Sequence, residues 1–112
     1  MKPLAVIAAL IPTPLLAGTF DCTFTTECFE SEACADSSFT TEVSVENSKI
    51  TTEFGDLEIT AIEQTPDTKV LFAKGDGAAY LLSVTPEAAR LTTQISAGPI
   101  VVSYLGACEG AF

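Results

Sequence analysis

Thr19-Phe20-Asp21-Cys22-Thr23-Phe24-Thr25 sets the reading of this chain, because Phe20, Cys22 and Phe24 alternate with Thr19, Asp21, Thr23 and Thr25. A period of two sends successive side chains to opposite faces of an extended backbone, so the segment is a strand with its aromatics turned inward. The same rhythm recurs downstream. Phe39, Thr41, Val43 and Val45 alternate with Thr40, Glu42, Ser44 and Glu46; Ile50, Thr52 and Phe54 alternate with Lys49, Thr51 and Glu53. Leu57, Ile59 and Ala61 then alternate with Glu58, Thr60 and Ile62. Turn chemistry bounds these runs at Asn47-Ser48, Gly55-Asp56, Pro66-Asp67 and Gly75-Asp76-Gly77.

The second half is greasier. Val70–Ala73, Ala79–Val84 and Ile100–Leu105 carry apolar residues at both parities, and Leu91, Thr93 and Ile95 share one side of a further strand. Thr85-Pro86-Glu87-Ala88-Ala89 has the composition of a single helical turn, with Thr85 as its cap and Pro86 at the first position. About eight short strands at this spacing predict a small antiparallel up-and-down barrel or a sandwich. An unpaired strand edge would invite self-association, so closure matters.

Residues 1–17 read as a secretory signal peptide: Lys2, an apolar run over Leu4–Ile11, the breaks Pro12 and Pro14, and Leu15-Leu16-Ala17 before Gly18. The run is too short to span a bilayer as a helix, which needs about 20 apolar residues. A single all-β domain over 18–112 follows, and its expected location is the periplasm or the medium. The whole chain of 112 residues carries 15 acidic and 5 basic side chains, no His, no Trp and a net charge of −10. Loss of Lys2 with the leader makes that −11. The missing His excludes Ser-His-Asp and Cys-His catalysis and His-held metals. The acidity argues against nucleic-acid binding, which depends on Lys and Arg. No cofactor site, no catalytic set and no stable membrane insertion after leader removal are expected.

All four cysteines, Cys22, Cys28, Cys34 and Cys108, follow the leader. They allow three pairings. Cys22 shares a face with Phe20 and Phe24, and Cys108 shares parity with Val102 and Tyr104. If the first and last strands meet to close a barrel, Cys22–Cys108 pins the seam and Cys28–Cys34 staples a local loop. The intervals of five residues lack close Cys-x(2–4)-Cys knuckles, which makes zinc the weaker reading.

The candidate site is that loop. Glu27, Phe29, Glu30, Glu32 and Asp36 surround Cys28 and Cys34. A pre-ordered acidic knob with Phe29 as anchor suits a cationic protein partner, since charge speeds encounter and the staple lowers the ordering cost. A merely solvated, cross-linked loop has the same composition. Glu42 and Glu46 share an outer strand face, where nothing raises a carboxyl pKa as acid catalysis requires. Gly75-Asp76-Gly77 is read as a hairpin turn rather than a calcium loop.

The leader, Phe20-Asp21-Cys22, the Cys28/Cys34 loop, Gly77-Ala78-Ala79-Tyr80-Leu81-Leu82 and Tyr104-Leu105-Gly106-Ala107-Cys108-Glu109 together resemble small exported proteins of Gram-negative bacteria. In layout the chain is also similar to periplasmic inhibitors of c-type lysozyme, small antiparallel barrels in which an early Cys pairs with a late one. Their Ser-Gly-x-Arg/Lys-Tyr strand is absent. Gly77-Ala78-Ala79-Tyr80 stands nearest to it and lacks both hydroxyl and cation. The likeness covers the architecture and carries over no inhibitory residues; the expected function is a non-enzymatic binding or accessory protein, inhibitor-like toward a basic partner. The alternative is a carrier of a small apolar ligand in the barrel interior, lined by Phe72, Tyr80 and Tyr104.

Overall fold

The computed structural model describes residues 18–97 and 99–112; the expected leader, residues 1–17, lies outside them. Eight strands follow one another: β1 (Thr19–Phe29), β2 (Ala35–Ser44), β3 (Lys49–Thr52), β4 (Gly55–Thr65), β5 (Thr68–Gly75), β6 (Ala78–Val84), β7 (Ala89–Ile95) and β8 (Ile100–Glu109). Each pairs antiparallel with the next, and β8 returns to β1, which closes a barrel and excludes the sandwich. The inward residues fill its middle. Phe24, Ile50, Leu71, Leu82, Leu91, Val43, Val84 and Cys22 are essentially without solvent contact. They belong to one cluster that also holds Phe20, Phe39, Leu57 and Ile59. Burial of that apolar surface is the main stabilising term.

Both disulfides form as barrel closure required. Cys22 lies directly opposite Cys108 in the β1–β8 ladder, and the two are bonded. Cys28 is bonded to Cys34 across the β1–β2 connection. Gly106 makes the same seam passable. It pairs with Phe24, and a methyl group there would stand 1.9 Å from the Thr23 carbonyl oxygen. Gly106 therefore lies within β8, and the strand runs through it to Glu109.

Four sequence expectations change. The ladder slips between Phe24 and Thr26 and between Ile59 and Ala61. Each slip is a β-bulge, one extra residue that reverses the inward parity beyond it. Ile62 consequently packs on the core while Ala61 is exposed, the reverse of the simple alternation. Phe54 was expected inward on a strand, yet β3 ends at Thr52, the turn falls on Glu53-Phe54, and Phe54 is 69% exposed. The Thr52 hydroxyl fixes that turn by donating to the Gly55 carbonyl and accepting from the Phe54 amide. Thr85–Ala88 is a tight link and no helical turn, closed by Thr85 N donating to Ala88 O and Ala88 N to Thr85 Oγ1.

Short β3 leaves its neighbours staggered. Ala35–Thr40 of β2 pair only with β1, and Thr60–Thr65 of β4 only with β5, among the described residues. Closure is thus complete in strand order while two strand halves keep a free edge.

The two ends of the barrel differ. One carries the β2–β3, β4–β5 and β6–β7 turns and the last residues of the chain. There Gly110, at φ 85°, sends the backbone under the barrel, and Ala111 is only 3% exposed. Lys69 Nζ donates to the Ala111 carbonyl and lies 5.5 Å from the Phe20 ring centre and 5.2 Å from that of Phe112. Burial pushes the Lys69 pKa down. This end is closed by its own chain.

Candidate functional site

At the other end the β1–β2, β3–β4, β5–β6 and β7–β8 connections surround an open mouth. Three of its walls are aromatic because of where short β3 stops. Phe39 sits on the overhanging half of β2, and the β3–β4 turn lays Phe54 against it, with ring centres 5.7 Å apart. Tyr104 of β8 stacks on the other side of Phe39 at 4.8 Å, and Phe24 lies within 6.2 Å beneath the two. Tyr80 of β6 completes the ring. Phe39, Phe54, Tyr80 and Tyr104, together with Asp76, Thr93, Ile95 and Val102, bound a cleft of about 220 Å³.

Carboxylates rim it. The bulge at Thr25 turns β1 so that Glu27, half-buried, stands across the ladder from Tyr104, where cross-strand partners share a face. Burial raises the Tyr104 pKa, and the carboxylates of Glu27 and, more weakly, Glu53 raise it further; Tyr80 adds to the same effect. Tyr80 is also raised, by burial and then by Asp76. Both phenols therefore stay neutral well into alkaline solution. Among the described residues, no Lys or Arg lines the cleft. Lys49 is 3.5 Å from Asp56 on the outer wall, and Lys69 is held at the closed end.

The expected loop is only partly a free acidic knob. Glu30, at φ 53°, donates its amide to Val101 O, and its carboxylate accepts the Val101 amide at 2.7 Å, so it ties the loop to β8. Glu27 faces Tyr104 rather than solvent alone. Glu32, Asp36 and Phe29 are exposed, with Phe29 at 40%. The interior carrier reading is corrected in one residue: Phe72 pairs with Ala61 and Leu81 on the outer face and is 39% exposed. Tyr80 and Tyr104 do share a cavity, at the mouth. Sequence reasoning missed Phe39, Phe54, Glu53 and Asp76 as site residues.

Comparison with protein-family models, with curated proteins and with solved structures returned no match.

Proposed function

We propose that the protein is a non-enzymatic, exported binding protein whose open barrel end docks a cationic protein, in the manner of an inhibitor or accessory factor. One observation carries the reading. Glu27, Glu30, Glu32, Asp36, Glu53 and Asp76 gather at the open end, where Lys74, two residues before Asp76 on β5, is the one Lys or Arg among the described residues in or next to the connections. At the closed end Lys49, Lys69 and Arg90 are interleaved with Glu46, Asp67, Glu87 and Glu109. A predominantly negative field at one end orients an incoming basic surface and speeds association. The two disulfides suit an oxidising compartment.

Two variants of equal charge test it. Glu32→Gln/Asp36→Asn/Glu53→Gln/Asp76→Asn neutralises the open end; Glu46→Gln/Glu63→Gln/Glu87→Gln/Glu109→Gln neutralises acids toward the closed end. Basic proteins retained by the parent at low salt are expected to stay with the second variant and be lost by the first. The parent should release them by several hundred millimolar salt, where the screening length falls to a few ångströms. Equal loss from both variants, or retention indifferent to salt, contradicts the reading.

A further inference from the structure

We propose that the mouth cleft receives a guanidinium or ammonium group on a short aliphatic stem, the anchoring Arg or Lys side chain of the basic partner; this deepens the docking reading and rests on it. Aromatic faces carry the negative part of the ring quadrupole, so a cation over Phe54, Tyr80 or Tyr104 is attracted while its stem packs on the same rings. Asp76 on the wall and Glu27 beside Tyr104 supply the compensating charge. An anion would meet those carboxylates unpaired. A purely apolar guest would strip water from them without replacing it. At about 220 Å³ the cleft is smaller than the roughly 300–1,000 Å³ typical of drug-sized sites, and it suits one side chain. With burial and nearby acids holding both phenols protonated, no phenolate competes with the carboxylates for the cation.

The chain contains two tyrosines and no Trp, and both tyrosines line the cleft, so intrinsic fluorescence reports from this site. The full chain is titrated with n-butylguanidinium and, as a neutral isostere, n-butylurea, at constant ionic strength. The guanidinium is expected to give a saturable change at least about tenfold tighter than the urea. Glu27→Gln/Asp76→Asn should weaken it about five- to tenfold, and the closed-end control Glu46→Gln/Glu87→Gln should leave it unchanged. An arginine-rich peptide separates the sources of the cation. Displacement of the bound peptide by butylguanidinium assigns the cleft to a protein side chain, and guanidinium binding without peptide capture overturns that assignment. Equal binding of butylurea, or a response that never saturates, overturns it. If the peptide binds Glu27→Gln/Asp76→Asn and Phe54→Ala as it binds the parent, the cleft inference fails while the docking reading survives.

Discussion

The two ends of this barrel are built from the same strands and solve opposite problems. At the closed end the chain uses its own last residues: Ala111 is buried, and Lys69 is placed between the Phe20 and Phe112 rings. At the open end β3 stops after four residues, Phe54 swings out to cover Phe39, and two neutral phenols look into a cleft edged by acids. The contrast teaches that one end is filled by its own chain while the other keeps an aromatic cleft open. At the closed end Lys49, Lys69 and Arg90 are interleaved with acids, whereas at the open end six acids meet one cation, Lys74.

The strongest way to break the comparison is through the disulfides, one at each level of the molecule. Cys22–Cys108 closes a loop of 87 residues, and the chain-entropy model gives about 4–5 kcal/mol for its loss. Cys28–Cys34 closes 7 residues at the mouth, worth about 2 kcal/mol. Denaturant midpoints for the two double Ser variants should fall in that order. Next comes Gly106→Ala. Its methyl would collide with the Thr23 carbonyl, forcing β1 and β8 apart at a cost of about 3 kcal/mol, read as a lower melting temperature with the far-ultraviolet spectrum retained.

Smaller effects sharpen the same contrast. Lys69→Ala removes a charged donor and its ring contacts at the closed end and should cost about 1 kcal/mol. Phe54→Ala, on a residue mostly in water, should cost about 0.5 kcal/mol; thermal unfolding compares the pair. The smallest effect is electrostatic. Because the folded-state pKa values of Tyr80 and Tyr104 are raised, the native state holds protons that the unfolded chain releases near pH 10. Their contribution is complete below that pH and is lost as pH climbs through the folded values. Absorbance at the phenolate band should show both groups titrating above the ordinary value, and Glu27→Gln should bring Tyr104 back toward it.

How much of this was legible follows from phase. Where polar residues alternate strictly, as in Phe20–Thr25 and Phe39–Ser44, the sequence announces which side is inward, and that parity together with the expectation of closure led to Cys22 opposite Cys108. In Val70–Ala73 both parities are apolar, the phase is undefined, and Phe72 was placed inside although it lies outside. The bulges after Phe24 and Ile59 shift parity by one residue without any local mark such as a glycine, so Glu27 looked like a loop acid rather than a partner of Tyr104. Glu30 looked free because the Val101 amide it accepts is 71 residues away. The cleft itself draws on residues 39, 54, 76, 80 and 104, which only closure brings together.

The most direct test follows backbone amide shifts while an arginine-rich peptide is added to the oxidised chain. The account predicts changes confined to residues 27–36, 53–54, 76–80 and 95–104, with Lys69, Ala111 and the β2–β3 and β6–β7 turns still. Changes centred on the closed end, or spread evenly over the outer wall of β1–β3, would contradict it.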